Sequence, residues 1–266
     1  MQKKIFDSHL HSKNSHDGRD SVDAICREAI RKGLSGIAVT DHCDIDAGRA
    51  SCLAVLTALK PDIYEARQRY GERLHISLGI ELGEIHHDNA LAGEVSGDPD
   101  VDFVIGSLHC LRNARDFYYL DYDRIDMDAL IDRYYDELLE MASVGDFDVV
   151  AHINYQVRYM SENARRRVDF SSHFDRLEPV LKKLAERGKG IEINTSSGSR
   201  DGEIVPSADV FRMFRASGGE VVAIGSDAHT APRVGHRMTE AMAILRDAGF
   251  TRYAFFERRK PIFFGL

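Results

Sequence analysis

Seven short runs rich in β-branched residues recur along the chain, at 4–11 (KIFDSHLH), 35–42 (SGIAVTDH), 75–82 (HISLGIEL), 102–109 (DFVIGSLH), 147–154 (FDVVAHIN), 190–197 (GIEINTSS) and 220–229 (EVVAIGSDAH). Most are continuous apolar runs rather than strict alternations, the pattern of strands covered on both faces in a parallel sheet. Helical patterns separate many of them, at 21–33, 127–145, 174–188, 207–219 and 238–250. The first sets Val22, Ile25, Ala29 and Ile30 on one face and stops at Gly33. Strand–helix alternation repeated about seven times in one chain of 266 residues predicts an α/β fold, a single-domain parallel barrel over 1–266. A doubly wound open sheet is the competing architecture. No G-x-G-x-x-G follows the first run and no G-x-x-x-x-G-K-[ST] occurs, so nucleotide-binding forms of that sheet lack their phosphate loop. The last segment, YAFFERRKPIFFGL, adds a short strand or wraps the barrel, and the charged stretches Arg165–Arg167 and Glu257–Lys260 read as solvated faces.

Composition narrows the functional classes. A hydrophobic fraction of 43% excludes intrinsic disorder. Net charge is −8, with a sequence pI near 5.8, so the overall field repels long nucleic acids while leaving room for a local cationic site. The N-terminal residues lack the apolar core of a signal peptide and no 18-residue apolar run occurs, so no membrane association is expected. Cys26, Cys43, Cys52 and Cys110 show no C-x-x-C spacing and read as free thiols of a cytoplasmic protein.

Twelve histidines is the unusual count, and position makes it informative. The first run ends in His9-Leu10-His11, the second in Asp41-His42, the third carries Glu81, the fourth ends in His109, the fifth carries His152, and the seventh ends in Asp227-Ala228-His229. In a β/α barrel all the C-terminal strand ends open on one mouth. Residues two apart on a strand face the same side, pairing His9 with His11 and Asp227 with His229. Asp17, six residues beyond His11, reaches the same mouth and is preferred to His16. Six imidazoles and three carboxylates in one mouth are costly to bury without a coordinating cation among them. The donor set His9, His11, Asp17, His42, Glu81, His109, His152, Asp227 and His229 contains no thiolate and suits divalent zinc, manganese or iron. Nine donors exceed the needs of one ion and imply two to three. His75, His86, His87, His173 and His236 read as structural. Cys43 and Cys110 each follow a ligand histidine and are expected to pack in the barrel wall.

The ordered set H-x-H (His9, His11), Asp17, T-D-H (Thr40 to His42), G-I-E (Gly79 to Glu81), G-S-x-H (Gly106 to His109), A-H-I (Ala151 to Ile153) and G-S-D-A-H (Gly225 to His229) resembles the polymerase-and-histidinol-phosphatase (PHP) superfamily from residue 5 to the end. Arg158, six residues after His152, the segment I-E-I-N-T-S followed by Arg200, and the closing F-F-E-R-R-K-P resemble its histidinol-phosphatase branch. The loop at 197–205 and the stretch 86–97 depart from that pattern. The resemblance implies a distorted (β/α)7 barrel with a trinuclear centre. One ion would take His9, His11, Glu81 and Asp227. A second would share Glu81 and add His109 and His152, and a third would take Asp17, His42 and His229.

Such a cluster suits hydrolysis of a phosphate ester, since the ions offset phosphoryl charge and acidify a water to attacking hydroxide near neutral pH. Glu81, Asp227 and His229 are the expected catalytic members, and Arg158 and Arg200 the expected phosphate-binding pair. The leading expectation is a metal-dependent phosphomonoesterase acting on L-histidinol phosphate, with Asp44, Asp46 or Glu84 meeting its cationic end. The alternatives are a PHP phosphoesterase acting on nucleotides or other small phosphate esters, and a non-catalytic PHP module, against which the intact ligand set argues. Oligomeric state is not legible.

Overall fold

A computed structural model describes residues 4–153, 155, 156, 159, 160, 170–198 and 204–266. The strands are β1 (Phe6–Asp7), β2 (Gly36–Asp44), β3 (His75–Gly83), β4 (Phe103–Ser107), β5 (Val149–Val150), β6 (Gly190–Gly198), β7 (Ile204–Val205), β8 (Val222–Gly225), β9 (Arg252–Glu257) and β10 (Lys260–Gly265). Strands β1 to β6 pair in chain order, all parallel, and β8 pairs parallel with the far side of β6. The ring comes round on itself because the Ser8 amide donates to the Ile224 carbonyl at 2.8 Å and the Asp227 amide to the His9 carbonyl at 2.8 Å. The fold is therefore the expected single-domain barrel of seven parallel strands, nearly closed, while β7 is a short antiparallel addition to β6.

The helices are α1 (Val22–Arg31), α2 (Arg49–Tyr70), α3 (Asn89–Ser96), α4 (Met127–Val144), α5 (Phe174–Glu186), α6 (Ala208–Ala216) and α7 (Met238–Asp247). Helix α1 starts at Ser21, whose hydroxyl accepts the Ala24 amide, and buries Val22, Ile25, Cys26 and Ala29 against the barrel. Helices α2 and α3 were not foreseen; α2 buries Cys52, Leu56, Leu59, Ile63 and Ala66 despite carrying Pro61. Among the described residues no helix is long and apolar enough to cross a membrane. All four cysteines are unpaired.

Regular strand geometry is shorter than the apolar runs. Strands β1 and β5 have two residues each, and β8 stops at Gly225, so His9, His11, His152, Asp227 and His229 sit on irregular backbone just past the strand ends. The pairing of Asp227 with His229 is therefore not a pleat effect, as the run 220–229 suggested: Asp227 is left-handed at φ 50°.

The C-terminal segment forms the antiparallel hairpin β9–β10 across the N-terminal ends of the barrel strands. Phe6 packs on Phe255 and Phe264 in tilted contacts at ring-centroid distances of 4.6 and 4.2 Å, and Phe103 stacks on Phe256 at 4.9 Å. Glu257–Lys260 is not a simple solvated face. Arg259 donates to the Asp148 carboxylate at 2.7 Å and the Ser96 carbonyl at 2.9 Å, clamping the turn to the barrel floor.

Candidate metal centre

Opposite that floor, the strand ends converge on one side chain. Glu81 lies within the regular part of β3 and is buried, and its two oxygens face five imidazoles. Oε2 is 3.2 Å from His9 Nε2, 3.3 Å from His11 Nε2 and 3.2 Å from His42 Nδ1. Oε1 is 3.1 Å from His109 Nε2 and 2.9 Å from His152 Nε2. Asp227 Oδ1 adds to the first group, 3.1 Å from His11 Nε2 and 3.6 Å from His9 Nε2. On the outer side, Asp17 Oδ2 is 2.8 Å from His229 Nε2 and 3.6 Å from His42 Nε2. All nine residues expected from the strand ends and first loop are thus brought together. His16 stays outside, its side chain 70% exposed. Arg158 and Arg200 lie outside the described residues.

Electrostatics show what this cluster asks for. Burial and then neighbouring His42 push the His11 pKa down to about 3, so that ring is neutral and offers a lone pair. Its Nε2 nevertheless sits 3.1 Å from His9 Nε2. Burial alone would discharge His9 as well, but Glu192, Glu81 and Asp227 outweigh it and hold its pKa well above the ordinary value. Burial likewise opposes ionisation of Glu81, yet His42, His9 and His109 keep its pKa well below the usual range. His42 Nδ1 is buried without a hydrogen-bond partner although Glu81 lies 3.2 Å away. Donor atoms facing each other at these distances, in groups such as His9–His11–Glu81 and His11–Asp17–His42–His229, fit divalent cations placed between them.

A supporting layer holds the donors in place, and most of it was not foreseen. Glu192 on β6 is buried; its Oε1 accepts from His9 Nδ1 at 2.7 Å and its Oε2 from the His152 amide at 2.8 Å. Gly225 has no room for a side chain, since a Cβ there would collide with Glu192 Oε1 and His9 Cβ. Asp41 faces away from the donors and accepts from the Ser12 amide and hydroxyl at 2.6 and 2.7 Å, pinning the first loop. The Ser15 hydroxyl, 3.2 Å from His11 Nδ1, also accepts the His42 amide at 3.0 Å. His229 Nδ1 donates to the Asp227 carbonyl at 2.9 Å, which turns Nε2 toward Asp17. Asn194 and Ser196 donate to Asp227 Oδ2 at 3.4 and 3.0 Å. The signal in the sequence was the carboxylate of Glu192 inside an otherwise apolar run, which must find a partner when buried.

Of the three acidic residues considered for a cationic ligand, Asp46 and Glu84 are already hydrogen-bonded, whereas Asp44 Oδ1 is buried without a hydrogen-bond partner. Asp44 Oδ1 is 3.4 Å from His109 Nδ1. Glu84 accepts the His109 and Cys110 amides at 2.7 and 3.3 Å, and burial pushes its carboxyl up to about 7. Asp46 Oδ1 is 2.9 Å from His87 Nδ1. Cys43 is buried in the wall as expected, whereas Cys110 is half-buried with Sγ 3.5 Å from Asp46. Tyr155 lies against His109 and His152, at centroid distances of 4.9 and 4.8 Å, and forms one side of the mouth.

The PHP domain family model matches residues 7–196 of the chain. A "Probable histidinol-phosphatase" of Thermotoga maritima is 27% identical over 247 residues, covering 92% of this chain and 93% of that protein. A "Histidinol-phosphatase" of Lactococcus lactis is 24% identical over 262 residues, covering 97% and 96%. The crystal structure of histidinol phosphate phosphatase from Lactococcus lactis, complexed with zinc, L-histidinol and phosphate, superposes with a TM-score of 0.82 at 22% identity, covering 98% of this chain and 100% of that one. The putative histidinol phosphatase of Listeria monocytogenes gives a TM-score of 0.75 at 15% identity, over 88% and 99%.

Proposed function

Since the chain belongs to the PHP family, we propose that it is a metal-dependent phosphomonoesterase whose substrate is L-histidinol phosphate, released as L-histidinol and phosphate. The observation that carries this reading is the buried Glu81 carboxylate with five imidazole nitrogens within 3.3 Å of its two oxygens. No ordinary hydrogen-bonding scheme satisfies so many convergent acceptors and lone pairs at once. Relatives named as histidinol-phosphatases, alignable over nearly the whole chain, support the choice of substrate.

The centre would hold two to three zinc, manganese or iron ions on His9, His11, Asp17, His42, Glu81, His109, His152, Asp227 and His229. Bound there, the ions would supply positive charge for the phosphoryl oxygens and acidify the attacking water. The chain's own groups do the positioning. Glu192 takes the Nδ1 proton of His9, so that His9 presents Nε2 to the mouth. Asn194 and Ser196 hold one oxygen of Asp227 and leave the other facing His9 and His11. Tyr155 excludes water from the His109–His152 side. Arg158 and Arg200 are assigned to the substrate phosphate as bidentate donors that never ligate an ion, because guanidinium has no free lone pair. In this reading the protein is cytoplasmic and handles small esters rather than long nucleic acid.

The test compares kcat/KM for L-histidinol phosphate, p-nitrophenyl phosphate and bis(p-nitrophenyl) phosphate. Preference for L-histidinol phosphate, with the diester last, is expected. Fastest turnover of the diester would transfer the assignment to the nucleotide-directed alternative.

A further inference from the structure

A second set of metal-ligand types meets outside the Glu81 cluster and shares no donor with it. The turn after β3 carries His86 and His87, and α4 carries Glu137. His86 Nε2 and His87 Nε2 lie 3.2 and 3.3 Å from the same atom, Glu137 Oε2. The His86 side chain is fully buried, and those of His87 and Glu137 are 8% and 13% exposed. The two rings meet edge to face at a centroid distance of 4.4 Å.

The hydrogen bonds around this set decide what lies at its centre. His87 Nδ1 is 2.9 Å from the Asp46 carboxylate, the arrangement in which a carboxylate takes the Nδ1 proton and leaves the lone pair on Nε2. That lone pair then faces a carboxylate oxygen at 3.3 Å, which is repulsive unless a cation stands between them. The backbone amide of Arg112 donates to Glu137 Oε2 at 3.0 Å, and Arg133 Nη2 pairs with Oε1 at 3.7 Å, so the carboxylate is held in one orientation. Two imidazoles and a carboxylate make a donor set of the zinc class.

We propose that His86, His87 and Glu137 form a separate divalent-cation site, with Asp46 orienting His87. It ties the turn after β3 to α4 beside the mouth, next to Glu84, which holds the His109 amide. The inference stands independently of the substrate assignment. The alternative occupant of the same geometry is a proton, with His87 as an imidazolium between Asp46 and Glu137.

Elemental analysis after equilibrium dialysis against zinc compares the wild-type holoenzyme with Glu137→Gln and with the double variant His86→Gln, His87→Gln. Both variants should hold one zinc fewer per chain and keep their phosphatase turnover. Equal zinc in all three proteins overturns the site. A second measurement on unmutated protein covers failure of the variants to fold. Imidazole nitrogen NMR should show His87 protonated at Nδ1 alone, with Nε2 shifting on addition of zinc. A doubly protonated His87 ring that ignores zinc also overturns the site.

Discussion

At the scale of single residues, Glu81 and Glu192, both buried in the mouth, divide the labour. Glu81 faces the imidazoles directly, whereas Glu192 stands behind His9. Glu81→Gln keeps the shape but removes the charge shared between two donor groups, and should be among the most damaging single changes, lowering both bound metal and activity. Full activity and full metal content in that variant would reduce Glu81 to a packing role. Glu192→Gln should cost about 10–100-fold in metal affinity or activity, the usual effect of losing the partner behind a ligand histidine. Metal titration of this variant makes the check; unchanged affinity would mean that His9 orients itself. The donors were legible because all but Asp17 fall at or near the end of an apolar run, where the barrel collects them. The left-handed backbone of Asp227 and the orienting bonds of Glu192, Asn194 and Ser15, the last to the His42 amide, were not, since they depend on contacts between segments remote in sequence. His86 and His87 were read as structural for the same reason: their partners Glu137 and Asp46 are remote in sequence.

At the scale of elements, the barrel strands were placed within a few residues, while two helices were missed and the C-terminal segment, expected as one short strand or a wrap, forms a two-stranded hairpin. The buried positions of α2, Cys52, Leu56, Leu59, Ile63 and Ala66, do follow a helical period, but Pro61 interrupts the pattern that signals a helix. The closing hairpin illustrates the opposite problem. Its charged turn looks like any solvated loop, yet Arg258 and Arg259 both have positive φ, 49° and 62°, the geometry of a tight two-residue turn. That turn aims Arg259 at Asp148, whose side chain is 7% exposed. Arg259→Ala would leave this carboxylate without its counter-charge in a poorly hydrated site. The expected loss is about 2–4 kcal/mol, toward the lower end of the range for breaking a buried pair because the arginine is partly exposed. Urea unfolding with an unchanged slope and a lower midpoint is the readout, with specific activity per folded molecule retained. A midpoint equal to wild type would return the turn to the status of a solvated face.

For the molecule as a whole, the two ends of the barrel have opposite requirements. The floor is sealed by aromatic packing of Phe6, Phe103, Phe255, Phe256 and Phe264. The mouth concentrates buried carboxylates and imidazoles whose mutual distances suit cations, so folding of that end should be coupled to metal. A cation that binds only the folded state stabilises it by about 4 kcal/mol when present at roughly a thousand times its Kd. In a chain of this size, about 1 kcal/mol moves Tm by roughly 2–4 °C, so removing even one such ion should lower Tm by roughly 8–16 °C, and stripping all of them by more. Protein prepared without chelator should carry two to three ions per chain in the Glu81 cluster, counted with His86, His87 and Glu137 substituted so that the outer site does not contribute. Chelation should then abolish phosphatase activity and shift the melting curve down, and readdition of zinc or manganese should restore both. If elemental analysis confirms complete removal while the melting curves overlay and activity persists, the buried charges of the mouth are balanced by protons alone, and the metal-dependent reading falls with them.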